Sequence, residues 1–188
     1  VSTTTATIED LEFDRTPLMR GLNEDQIEQV FNRMEHLCYE TDALILTQGE
    51  ANPGIWLLSS GCAEVVRDGF GGNPDRVLAL LGPGSVFGEM SFFRKTPHTA
   101  NVRAVQQSTV HKLSWTALEE LKVEASEIAV VLLTNIVTVA AERLHLMDNW
   151  VCRLLETNDV PVSSGGGGDA RFEEWHEFRA KLYREWDF

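Results

Sequence analysis

The stretch Gly82-Pro83-Gly84-Ser85-Val86-Phe87-Gly88-Glu89-Met90-Ser91-Phe92-Phe93, continuing through Thr96-Pro97-His98-Thr99-Ala100-Asn101-Val102-Arg103-Ala104, carries most of what this sequence says about itself. Gly82-Pro83-Gly84 is turn chemistry. Gly88 has no Cβ and lets a backbone approach a neighbour or a ligand closely. Glu89 to Phe92 fits one helical turn, whose leading N–H groups favour anions. A carboxylate there accepts hydrogen bonds from sugar hydroxyls. Pro97-His98-Thr99 adds a turn, a titratable ring and a hydroxyl.

On the N-terminal side, short apolar runs alternate with turns. Leu44-Ile45-Leu46, Ile55-Trp56-Leu57-Leu58, Ala63-Glu64-Val65-Val66 and Val77 to Leu81 are separated by Gly49-Glu50, Asn52-Pro53-Gly54, Ser60-Gly61 and Gly69 to Pro74. On the C-terminal side, Ala100–Val105 and Thr109–Leu113 continue the pattern. Many short strands with regular turns predict a mainly β domain with flanking helices, a jelly-roll barrel (double-stranded β-helix) ending near Leu113.

Helices are expected at both ends. A short segment lies near Pro17. Asn23 with Gln26 forms a capping-box pattern before Ile27, Val30, Phe31 and Met34, predicting a helix over 24–37. Ser114 reads as an N-cap. A long helix is expected over 126–155, with one stripe of Leu132, Ile136, Val139, Arg143, Leu146 and Trp150. A second stripe holds Leu133, Val137, Ala140, Leu144, Met147, Val151 and Leu154. One stripe suits packing on the barrel, the other a partner helix, so a homodimer through this helix is expected. The organisation read from sequence is a tail (1–15), a barrel domain with its helices (16–156), a Gly-rich linker (157–170) and a C-terminal amphipathic helix (171–188). Phe172, Trp175, Phe178, Leu182 and Trp186 give that last helix an apolar face expected to dock on its own domain or its dimer mate.

Composition narrows the function classes. The chain has 188 residues, 43% of them hydrophobic, and a formal charge of -13. So acidic a surface repels phosphate backbones and speaks against nucleic-acid binding. The most apolar run, Ile128 to Ala141, is short and broken by Thr134, Asn135 and Thr138, so no membrane span is expected. The N-terminus lacks a basic and apolar leader pattern, and three cysteines without metal spacing suit reduced thiols, so a cytoplasmic setting is expected. The chain starts at Val, which suits a fragment or a processed product. His36, His98, His111, His145 and His176 show no metal-ligand spacing in sequence. No nucleophile elbow or phosphate-binding loop occurs, so the chain reads as a non-enzyme without a required cofactor.

Taken in order, Thr16-Pro17-Leu18, Gln48-Gly49-Glu50, Ser60-Gly61, Leu81-Gly82-Pro83-Gly84, Phe87-Gly88-Glu89-Met90-Ser91, Pro97 to Ala104 and Ala141-Glu142-Arg143-Leu144 resemble the cyclic nucleotide-binding domain family of catabolite activator proteins and cAMP-dependent kinase regulatory subunits. The resemblance implies a ligand of the cAMP or cGMP type. Glu89 matches the glutamate that holds the ribose 2′-hydroxyl. Phe87, Gly88, Met90 and Ser91 lie in the segment whose main chain cradles the cyclic phosphate. Pro97, Thr99 and Ala100 flank that phosphate, and Arg143 lies on the helix that covers the base.

One position departs from the family: His98 stands where the phosphate-clamping arginine follows the proline. Arginine provides a permanent, bidentate contact. A neutral histidine in its place loses a charged hydrogen bond worth about 1.5–3 kcal/mol, roughly ten- to hundredfold in affinity. Two readings of His98 stand side by side, an exposed turn residue and a pH-dependent phosphate contact. Two functions follow: a cyclic-nucleotide sensor signalling through helix rearrangement to an unidentified protein effector or a dimer mate, or the same fold retained as a dimerisation scaffold without ligand.

Overall fold

The computed structural model describes residues 16–51, 54–69 and 74–157. The expected tail at 1–15, the linker beyond Thr157 and the helix at 171–188 lie outside these residues. The chain divides between Ala140 and Ala141 into two compact units.

Eight strands form two antiparallel four-stranded sheets. β1 (Glu35–Tyr39), β8 (Ser108–Ser114), β3 (Gly54–Ser60) and β6 (Val86–Phe87) make one, in that spatial order. β2 (Leu44–Leu46), β7 (Asn101–Ala104), β4 (Ala63–Arg67) and β5 (Arg76–Leu81) make the other. This is the expected jelly roll with flanking helices.

Two cores follow from the period-2 alternation of the strands. Trp56, Leu58, Phe87 and Val110 point between the sheets and meet Ile45, Leu46, Ala63, Leu81, Val102 and Ala104. Ile55, Leu57, Val86 and Leu113 point to the other face and pack under the helices. β3 is therefore buried on both faces, which is why it reads as an almost unbroken apolar run. Gly61 turns β3 into β4 at φ +91°, and a Cβ there would lie 2.7 Å from the Ser108 Cα, so the turn requires glycine.

The helices are α1 (Glu24–Phe31), α2 (Glu89–Arg94), α3 (Trp115–Glu124) and α4 (Ser126–Thr157), after a 3₁₀ turn at Pro17–Met19. Both expected N-caps form. Asn23 and Gln26 exchange backbone–side-chain bonds of 3.0 and 2.9 Å, and Ser114 Oγ accepts from the Ala117 N–H at 3.1 Å. The first helix is shorter than the expected 24–37. It stops at Phe31, and Glu35–Tyr39 becomes β1, paired with β8 from Glu35↔Lys112 to Tyr39↔Ser108. Ladder pairing overrides local helical spacing in that segment.

Within the first unit, α4 buries Ile128, Ala129, Leu132, Ile136 and Val139 and leaves Val130 and Val137 exposed. Asn135 Nδ2 donates to the Leu18 and Arg20 carbonyls at 2.9 and 2.8 Å, tying α4 to the N-terminal turn. Helix α4 is long and apolar enough to cross a bilayer by length and composition. The sequence expectation missed this because it judged an unbroken run rather than a window. Its first part packs in the core, where Ile128, Ala129, Leu132 and Ile136 join the residues of α1, α3 and the sheet, while 28% of its most apolar window is buried.

Candidate functional site

The site grows from the end of β6. Gly88 adopts φ +83°, and a Cβ there would lie 2.7 Å from Trp56 Cδ1 and 2.8 Å from the Gly54 carbonyl oxygen. Glycine is required both by the left-handed backbone and by the approach to β3. The chain then enters α2, where Glu89 and Ser91 are buried and Met90 is exposed. The Phe92 N–H donates to the Gly88 carbonyl at 3.1 Å, and the Ser91 hydroxyl reaches the same carbonyl at 3.2 Å. Phe92 anchors the turn from below, fully buried beside Trp115.

His98 lies opposite. Its ring is buried, and Nδ1 is 2.7 Å from Ser91 Oγ. This corrects the exposed-turn reading. The main chain of His98 pairs with the β2–β3 turn, its N–H donating to the Glu50 carbonyl at 2.9 Å and its carbonyl accepting from the Gly49 N–H at 2.8 Å. That pairing pulls the side chain inward toward α2. Pro97 and Thr99 on either side are exposed, and Ala100 is half-buried.

So Gly88, Glu89, Ser91 and His98 come together in one buried corner between α2 and the following loop. Phe87 is placed differently. Its ring stacks on Trp56 at 6.2 Å between the sheets, so its side chain belongs to the core. Trp56 Nε1 is buried and has no hydrogen-bond partner among the described residues. Arg143 belongs to the second unit and is exposed.

The three cations flanking this segment in sequence are each placed elsewhere. Arg103 lies on the outer face of β7, its Nε donating to Glu64 Oε1 at 2.9 Å, and the ion pair with Glu64 raises its pKa. Lys95 Nζ sits 4.9 Å from the Trp115 ring centre, a cation–π placement. Arg94 is exposed at the end of α2.

The sequence reading did not single out the polar side chains that brace the corner. Asn101 Oδ1 accepts from the Gln48 N–H at 2.7 Å, Gln48 Oε1 accepts from the Asp68 N–H at 3.1 Å, and Asn101 Nδ2 donates to Asp68 at 2.5 Å. Asparagine at the head of an otherwise alternating strand was the available signal. Among the described residues no group of three or more His, Cys, Asp or Glu is placed to hold a metal ion.

Comparison with known proteins agrees with this geometry. Residues 36–124 match the model of the cyclic nucleotide-binding domain. The cyclic AMP receptor protein of Thermus thermophilus is 32% identical over 93 residues, 50% of this chain and 43% of that protein. The cAMP-dependent protein kinase regulatory subunit of Schizosaccharomyces pombe is 26% identical over 91 residues, 48% of this chain and 21% of that protein. The chain thus spans less than half the length of these relatives. The crystal structure of the Thermus thermophilus catabolite activator protein superposes with a TM-score of 0.66 at 28% identity, covering 73% of this chain and 62% of that one. The two sheets and the matched segment agree, so over residues 36–124 the barrel matches the cyclic nucleotide-binding domain family.

Proposed function

We propose that this chain is a non-catalytic regulatory module that takes a cyclic nucleotide at the corner formed by Gly88–Ser91 and Pro97–Ala100, and passes the binding event to a protein effector or a second copy. The observation that carries this reading is the buried set of Glu89, Ser91 and His98 at the start of α2. A buried carboxylate suits sugar hydroxyls, and the leading main chain of α2 at Met90 and Ser91 suits the phosphate. His98, already aligned by Ser91, supplies a charge-assisted donor only when protonated. Helix α4 carries exposed Val130 and Val137, and farther along Leu144, Leu146 and Met147. These are the surface a partner helix covers, and ligand shifts the population of that arrangement. Output runs through protein contact, since the charge of -13 opposes a phosphate backbone.

Titration calorimetry of cAMP and cGMP into wild type and His98→Arg, at pH 6 and pH 8, tests the reading. The wild type binds more tightly at pH 6. The arginine variant binds about ten- to hundredfold more tightly than wild type at pH 8 and loses most of the pH dependence. No binding by either protein at millimolar ligand overturns the proposal.

The second reading is a scaffold that no longer takes cyclic nucleotide. The enclosure of the His98 ring against Ser91 favours it, because the position that would meet the phosphate is already occupied within the fold. Binding by the arginine variant alone supports this reading.

A further inference from the structure

His36 on β1 and His111 on β8 are far apart in sequence and show no ligand spacing there. The β1–β8 ladder makes them direct cross-strand partners. Directly opposed residues put their side chains on the same face of the sheet. Their ring centres are 5.1 Å apart, with the planes at 70°. An imidazole nitrogen bound at about 2.0–2.1 Å places its ring centre about 3.2 Å from a zinc ion, so two imidazoles at a tetrahedral angle have centres about 5.2 Å apart. The observed separation matches that of a chelating pair.

The surroundings match as well. Ser59 Oγ lies 2.5 Å from His111 Nδ1, which fixes the ring and leaves Nε2 as its outer nitrogen. A metal-bound histidine characteristically spends its other nitrogen on such a partner. The Phe31 ring meets His111 edge-on at 4.9 Å and screens one side. His36 stands exposed on an edge strand, so an ion reaches the pair from solvent.

We propose that His36 and His111 form a two-imidazole site for a divalent ion of the zinc or copper class, with water completing its coordination. Imidazole selects this class over magnesium and calcium, which prefer oxygen. The site lies on the sheet face toward α1 and involves none of the residues assigned to nucleotide, so it stands whether or not that assignment does.

Zinc chloride titrated into the full chain in a non-chelating buffer tests it, with long-range ¹H–¹⁵N spectra of the imidazoles. One saturable site is expected, with ring-nitrogen shifts at both His36 and His111 and none at His98. Ser59→Ala weakens binding by about tenfold through loss of ring orientation, and His36→Ala weakens it further. His36 is exposed, so its variant folds even if His111→Ala does not. Cys38→Ser, next along the same face of β1, leaves affinity unchanged. Absence of saturable binding, wild-type affinity in His36→Ala, or loss of binding in Cys38→Ser each overturns the proposal.

Discussion

The two sheets of the barrel are built from similar residues and used differently. The sheet β1-β8-β3-β6 is covered on both faces at its centre, where Ile55, Trp56, Leu57 and Leu58 are all essentially inaccessible. The sheet β2-β7-β4-β5 is covered on one face and ends in β5, where Val77, Leu78 and Leu80 are exposed. The first sheet is a platform. It holds the helices on one face, Phe92 of α2 among them, and on the other face Trp56 meets Gly88, so the β3–β6 pairing sets where α2 begins. The second sheet closes the barrel and lends the site its bracing loops, through Gln48, Asp68 and Asn101. An apolar run of sequence therefore means a doubly buried strand in β3 and an exposed edge in β5. Only neighbours distinguish the two.

The sharpest way to break that comparison is to truncate the platform. Leu57→Ala removes a fully buried side chain between sheet and helices and is expected to cost about 2–5 kcal/mol in chemical denaturation. A cost below 1 kcal/mol would mean that the platform is not the central support. Gly88→Ala comes next. Left-handed backbone alone costs about 1–2 kcal/mol for a residue with Cβ, and the contacts with Trp56 and the Gly54 carbonyl add to it. Calorimetric melting measures the sum, and ligand binding should fall with it because α2 is displaced.

His111 ties the platform to pH. Its pKa is lowered from 6.5 to about 4, by burial first and by His36 second. The unfolded chain therefore binds a proton between these values when the folded chain does not. Stability is fully present above pH 6.5 and is lost as pH falls toward 4. The ring is partly exposed, so solvent screening reduces the effect to about 1 kcal/mol. Denaturation at pH 7 and pH 4.5 should show less of this loss in His111→Gln, and equal slopes for both proteins would reject it. The smallest effect belongs to the second sheet. Leu80→Ser on exposed β5 is expected to change stability by no more than about 0.5 kcal/mol, and a larger loss would show that β5 is covered by a partner in solution.

Local chemistry made part of this molecule legible in advance. Asn23 with Gln26, and Ser114, cap helices through bonds spanning three residues, so their meaning travels with the sequence. Alternation and turn residues announced the barrel, and Gly88-Glu89-Met90-Ser91 announced the corner that α2 opens. The helical spacing reaches into Glu35–Leu37 because this segment becomes part of strand β1 only by pairing with β8. The depth of His98 was not legible either, since it depends on main-chain bonds to Gly49 and Glu50 from another turn.

The sequence by itself determined the jelly roll and its helical flanks, because residue type, spacing and short-range bonding carry those features, while the roles given to Glu89 and His98 rest on the resemblance alone. Only the tertiary structure decided that His98 turns inward to Ser91, that Arg103 is committed to Glu64, and that His36 faces His111. Each of these depends on which strand or loop lies opposite, and cross-strand register arises from burial summed over the whole sheet rather than from the residues that end up in contact.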